Sequence, residues 1–160
     1  MKIKVDEVGI MVKDLDKAVE LLTKLGIGPW TRLSDRAKTE KFYRGKPANY
    51  KLKIAIAWIG DVEIELLQHI EGECIQKEIL ERQGEGIYHI GYFVDDIDKE
   101  VADLKAMGLE PVQWGRMMEG GFCYFNTGVG NILIEPIKRP KSPDYYQADP
   151  ESYTKEAKKK

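Results

Sequence analysis

The chain has 160 residues, one domain's worth and enough to bury a core, with 42% hydrophobic and 32% charged residues and a formal net charge of -2. That balance describes a soluble globular protein and gives no electrostatic reason to expect nucleic acid as a partner. No apolar run nears the roughly 20 residues that span a bilayer, and MKIKVDEVGI lacks the apolar stretch of a secretory signal, so a cytoplasmic protein without membrane contact is expected.

In chain order, an apolar strand ends at Val12 and an aspartate follows as a helix N-cap. Apolar residues then recur at helical spacing until Gly26 stops the helix. PWTRLSD comes next, then YKLKIAIAWIGDVEIELLQ, two strand-like runs pivoting on Gly60-Asp61, which is hairpin chemistry. EGECIQKEILERQGEG reads as a linker helix with Ile75, Ile79 and Leu80 on one side and Gly84 and Gly86 at its end. A second strand and helix follow from GIYHIGYFVDDID to Gly108, then EPVQWGR and GFCYFNTGVGNILIEPI, two runs around a Gly-rich turn at 127–131.

The second half repeats the first. Displaced by 82 positions, VGIMVKDLDKAVELLTKLGIGPW (8–30) falls on IGYFVDDIDKEVADLKAMGLEPV (90–112) with nine of 23 pairs identical, among them Gly9/Gly91, Asp14/Asp96 and Gly26/Gly108. Each half is a βαβββ module: module one 3–70, linker helix 71–86, module two 87–137, and a proline- and lysine-rich extension 138–160 in which Asp149-Pro150-Glu151 could start a short helix. Strand periodicity sorts the polar residues. Glu7, Gly9 and Met11 share one face of the first strand, and His89, Gly91 and Phe93 share one face of its repeat. Glu63 and Glu65 oppose Val62, Ile64 and Leu66, and Glu135 opposes Ile132 and Ile134. The β-branched faces suit packing on the helices, so the polar set points to the other side. Glu63 is read as solvated or lysine-paired, His69 as an exposed loop residue, and Cys74 and Cys123, which lack metal or redox spacing, as small buried hydrophobes.

This tandem arrangement, with VGIMVKDLDKAVELL, VEIELLQ, GIYHIGYFVDDID and ILIEPI, resembles the vicinal oxygen chelate superfamily, the glyoxalase and methylmalonyl-CoA epimerase relatives, over about residues 5–137. The resemblance implies an α+β fold: two βαβββ modules forming a cupped mixed sheet around one cavity, helices outside. It implies one divalent metal ion, which could be Mn, Fe, Mg, Co, Ni or Zn, bound by one residue from the first and last strand of each module: Glu7, Glu65, His89 and Glu135. It also implies a lyase, isomerase or epimerase that stabilises an enolate of a small oxygenated substrate by chelation, with CoA-linked substrates among those the resemblance allows. The first-strand ligand in such proteins is usually histidine, and here it is Glu7. One imidazole and three carboxylates around a divalent ion leave about one negative charge, which favours harder ions and weakens the Lewis acid. A metal-free protein that binds or sequesters a small molecule on the same fold is the alternative.

Candidate catalytic carboxylates are Glu7 and Glu135. AKTEKFYRGKPANYKLK contains Glu40 but no clear equivalent of the epimerases' additional catalytic carboxylate. Its Tyr43, Arg44, Lys46, Tyr50 and Lys53 could clamp an anionic substrate or simply form a solvated loop. Arg116 is a second anion candidate, and Trp58, Trp114, Phe122, Tyr124 and Phe125 could wall a pocket or serve as sheet core, with Tyr124 a candidate substrate contact. A homodimer is expected.

Overall fold

The computed structural model describes residues 3–33, 40–117 and 119–140. The expected helix start at 149–151 lies outside the described residues. Among these, the first module contains β1 (Glu7–Met11), α1 (Leu15–Lys24), β2 (Thr31–Leu33), a small hairpin of β3 (Glu40–Tyr43) and β4 (Lys46–Pro47), and the long hairpin of β5 (Lys51–Ile59) and β6 (Val62–Glu71). The linker helix α2 (Ile75–Gln83) leads to β7 (Gly86–Phe93), α3 (Ile97–Ala106), β8 (Pro111–Met117), β9 (Gly120–Asn126) and β10 (Leu133–Lys138). No described helix is long and apolar enough to cross a membrane.

The two repeat helices start and stop by the same chemistry. Asp14 Oδ1 accepts from Lys17 N at 3.1 Å, and Asp96 Oδ1 accepts from Lys99 N at 3.0 Å. Both end at a glycine in the left-handed region, Gly26 at φ +88° and Gly108 at φ +86°. The inner stripe of α1, Leu15 and Val19, packs on Ala55 and Leu66, and that of α3 brings Leu104 against Cys123 and Phe125. Both cysteines are free and buried.

All ten strands form one sheet in the order β2-β5-β6-β1-β7-β10-β9-β8-β3-β4. Within each module the first strand runs parallel to the last, β1 with β6 and β7 with β10, while β1 and β7 meet antiparallel at the centre. A pseudo-twofold axis therefore passes between β1 and β7. The 40–47 segment departs from the plain module: its hairpin leaves β2 and pairs with β8 of the other module. That crossing forces curvature. Eight inter-strand steps of about 4.8 Å separate β2 from β3 in the sheet order, about 38 Å if flat. Leu33 and Glu40 are only seven residues apart, a reach of at most about 25 Å. The sheet curls into a cup.

α1 and α3 lie on the convex side. The linker helix α2 instead packs against the inner face, where Ile75 and Ile79 meet Met11, Leu67, Tyr88, Tyr124 and Leu133. Tyr43 and Arg44, from the crossing hairpin, fasten it: the Tyr43 hydroxyl donates to Glu78 Oε2 at 2.5 Å and Arg44 Nη2 does so at 2.7 Å.

Candidate metal centre

Register places the polar residues of the four central strands in two adjacent rows on the inner face. One row holds Glu65, Gly9 and His89; the next holds Glu63, Glu7, Gly91 and Glu135. The pseudo-twofold exchanges Gly9 with Gly91, Glu7 with His89, and Glu65 with Glu135. Each first-strand ligand candidate thus leans over the other module's glycine. A Cβ on Gly9 would lie 1.9 Å from His89 Cε1, and one on Gly91 would lie 2.9 Å from Glu7 Cβ. Both rows depend on these bare positions.

The structure brings Glu7, Glu65, His89 and Glu135 together, with one donor atom from each lying within 4.8 Å of all the others. His89 is fully buried, and Glu7 and Glu135 are 4% exposed. His89 Nε2 lies 2.9 Å from Glu7 Oε1, 3.0 Å from Glu135 Oε2 and 3.7 Å from Glu65 Oε2. Burial drives its pKa down to about 3, so the ring is neutral. A neutral ring with one N–H cannot satisfy three carboxyl groups, and Glu135 Oε2 and His89 Nδ1 are both buried without a hydrogen-bond partner. Desolvation, reinforced by the neighbouring carboxylates, raises Glu65 and Glu135 well above the carboxylate range; Glu7 is raised too, mainly by desolvation. A cluster of this kind must hold either protons or a cation. Three carboxyl oxygens and one imidazole nitrogen converging from four strands fit a divalent ion of the harder kind.

Two further residues touch the cluster, and the sequence reading assigned neither to it. Glu63 is 2% exposed, so the expectation of a solvated or lysine-paired residue fails. It stands beside Glu7 in the second row, hydrogen-bonds it, and forms a short ion pair with Arg139, which follows β10. Desolvation first, then the Glu7 carboxyl, pushes its pKa up to about 8. Parallel pairing of β1 with β6 was the signal for Glu63. For Arg139 it was the period of two that carries Glu135 and Ile137 on to 139. His69 belongs to β6 rather than to a loop, its Nε2 2.8 Å from the Gly72 carbonyl oxygen.

The remaining candidates scatter. Tyr124 borders the cluster; desolvation dominates in raising Glu135, and the Tyr124 hydroxyl's hydrogen bond to it only partly offsets that rise. Its hydroxyl also lies 3.3 Å from that of Tyr88, which a break in the β1–β7 register turns inward next to His89. From there a buried polar chain continues through Gln76 and Gln113 to the Tyr50 hydroxyl. Tyr50 therefore lines the inner face at a distance from the four donors. Arg44 is engaged with Glu78, Lys46 is exposed on β4, and Lys53 lies 3.9 Å from Asp16. Arg116 pairs with Asp98 of α3, and Trp114 and Phe125 pack beneath α3, all on the convex side. Trp58 is 46% exposed, and Phe122 packs on the inner core beside Tyr124.

Residues 6–127 match the model of the Glyoxalase/Bleomycin resistance protein/Dioxygenase superfamily. The chain belongs to that superfamily. Solved structures similar to this member of the glyoxalase superfamily include a hypothetical protein from Bacillus halodurans C-125, at 22% identity and TM-score 0.65 over 89% of this chain and 98% of that one. Methylmalonyl-CoA epimerase from Mycobacterium tuberculosis aligns at 22% identity and TM-score 0.61, covering 85% and 88% of the two chains. A Streptomyces coelicolor methylmalonyl-CoA epimerase variant in complex with 2-nitronate-propionyl-CoA aligns at 18% identity and TM-score 0.63, covering 89% of this chain and all of that one. At these identities the likeness shows the shared fold. No curated protein matches the sequence.

Proposed function

We propose that this glyoxalase-superfamily protein is a divalent-metal-dependent isomerase, epimerase or lyase acting on a small oxygenated substrate, with coenzyme A thioesters the first class to examine. The observation that carries the reading is the convergence of four donor atoms within 4.8 Å at the pseudo-twofold axis, from three buried residues and the partly buried Glu65. Glu7, Glu65, His89 and Glu135 would hold the ion, which when bound would draw negative charge from vicinal substrate oxygens and so ease loss of the neighbouring carbon-bound proton. The thioester class is suggested by structural neighbours that are methylmalonyl-CoA epimerases.

The chain's own residues supply the proton handling. Glu7 and Glu135 are the candidate proton carriers: both are carboxyls at the point of convergence, and without an ion desolvation raises both above the ordinary carboxylate value. The Tyr124 hydroxyl orients Glu135, and the burial of His89 keeps its ring neutral and available as a nitrogen donor. The near-complete burial of Glu7, His89 and Glu135 limits access of bulk water to these groups.

A metal-free binding protein is the second reading, favoured by one observation: His89 Nε2 already lies at hydrogen-bond distance, 2.9 Å, from Glu7 Oε1, so protons alone can close part of the cluster. The two readings separate in deuterium oxide. Metal-reconstituted protein should exchange the carbon-bound proton of methylmalonyl-CoA or of another acid or thioester with vicinal oxygens, as followed by NMR, and Glu135→Gln should abolish it. Exchange no faster than in buffer across such a panel would count against the enzyme.

A further inference from the structure

The four donors form a site related to itself by the pseudo-twofold, except for one feature. In the first module Glu63 sits next to Glu7, and the equivalent place in the second module, beside Glu135 on the same strand face, is Leu133. The extra carboxyl and the replacement of an imidazole by Glu7 fall on the same side. Both meet Arg139. Its guanidinium pairs with Glu63 Oε1 and lies 3.5 Å from Glu7 Oε2. It is held over the Phe93 ring at 3.8 Å and 5.5 Å from the Trp58 ring, with its side chain 18% exposed.

The two oxygens of Glu7 consequently face different partners. Oε2 faces the guanidinium, whereas Oε1 faces His89 Nε2 and the other donors. With a divalent ion, the carboxylates of Glu7, Glu63, Glu65 and Glu135 would carry a formal charge of -2, and Arg139 brings it to -1. That is the charge the site would have if Glu63 were apolar like Leu133. A buried carboxylate without this partner would be costly, and it would compete for the place of its neighbour.

Resting on the metal-centre reading above, we propose that Arg139 is the positioning residue that lets a glutamate serve as the first-strand ligand. It holds Glu63 out of the donor set and turns Glu7 so that Oε1 alone addresses the ion. Outer partners that fix a ligating carboxylate tune both orientation and affinity. The sequence feature that accompanies Glu7 is therefore an arginine 132 residues later, just past the last strand.

The test is titration of the full chain with Mn(II), read by electron paramagnetic resonance of free and bound ion, with circular dichroism confirming the fold of each variant. Arg139→Gln should weaken binding by about 10- to 100-fold and alter the bound Mn(II) spectrum, and Arg139→Lys should recover part of the loss. The double variant Glu63→Gln with Arg139→Gln removes both charges of the pair and should bind within about threefold of the unaltered protein, because contacting residues are not additive. Unchanged or tighter binding by Arg139→Gln, or a double variant no better than the single, overturns the role of Arg139 alone. An unaltered protein that takes up no Mn(II) overturns the metal centre itself and this role with it.

Discussion

Replacing Gly9 by alanine should remove His89 from the metal centre while leaving the fold standing. The added Cβ would lie 1.9 Å from Cε1, 2.1 Å from Nδ1 and 2.5 Å from Nε2 of the imidazole, where ordinary carbon contacts need about 3.5–4.0 Å. The ring must retreat by roughly 1.5–2 Å, which takes Nε2 far beyond the about 0.2 Å tolerance of a metal–ligand distance. Loss of a ligand should cost at least the about 100-fold at the upper end for an outer partner. Overpacking should destabilise by about 1–3 kcal/mol, each kcal/mol lowering Tm by about 2–4 °C in a chain of this size. Gly91→Ala is the internal comparison: its Cβ would meet Glu7 Cβ at 2.9 Å, Glu7 Oε1 at 3.0 Å and Ile137 Cδ1 at 3.1 Å, so shifts of under about 1 Å suffice. It should weaken binding by less than about tenfold. Isothermal titration with Mn(II) alongside thermal unfolding measures both. Gly9→Ala binding as tightly as the unaltered protein would refute the placement of His89 as a ligand.

The metal-free protein should lose stability as pH rises from 6.5 to 8. Glu63, Glu65, Glu135 and Glu7 have raised folded-state pKa values, so they stabilise fully below about 4.5 and lose that contribution as pH passes their folded values, about 8 for Glu63. For Glu63 alone, from 4.5 to about 8, this amounts to at most about 5 kcal/mol. His89, depressed to about 3, acts in the opposite sense: its contribution is present above 6.5 and lost as pH falls towards 3, so it does not interfere in this window. Urea unfolding in the presence of chelator should show the decline, added Mn(II) should flatten it, and a rising curve would contradict the buried carboxyl cluster. Glu7→Gln should suppress solvent deuterium exchange into an active substrate, and undiminished exchange would remove Glu7 as a proton carrier. Arg44→Ala should leave Mn(II) affinity unchanged and cost only about 0.5–1 kcal/mol, since its pair with Glu78 is half exposed; a loss of metal affinity would show that the hairpin latch reaches the site.

Much of this was legible in the sequence because duplication and strand period act together. The 82-residue offset of Glu7 and His89 and the matched carboxylates Glu65 and Glu135 single out the four residues that the structure brings together. Less legible was what depends on pairing between distant segments. Nothing local in EKFYRGKP says that it leaves its own module to pair with β8, and that crossing engages Arg44 with Glu78 rather than leaving it facing a substrate. Arg116 alternates outward with Trp114 onto α3, a face that only the register of β8 reveals. Tyr88 turns inward through a register break, which interrupts the period of two along the strand. The change of composition after 137 sets Arg139 in an extension beyond the core, yet from just past the end of β10 its side chain reaches back to Glu63.

Metal content tests the central claim most directly. Protein purified without chelator, or reconstituted and desalted, should carry about one equivalent of a divalent ion per chain by elemental analysis, the amount four converging donors can hold. Glu65→Gln and His89→Ala should each lose it. Absence of bound metal in the unaltered protein after incubation with Mn(II), Fe(II), Co(II), Ni(II) and Zn(II) would contradict the metal centre and leave a binding protein on the same fold.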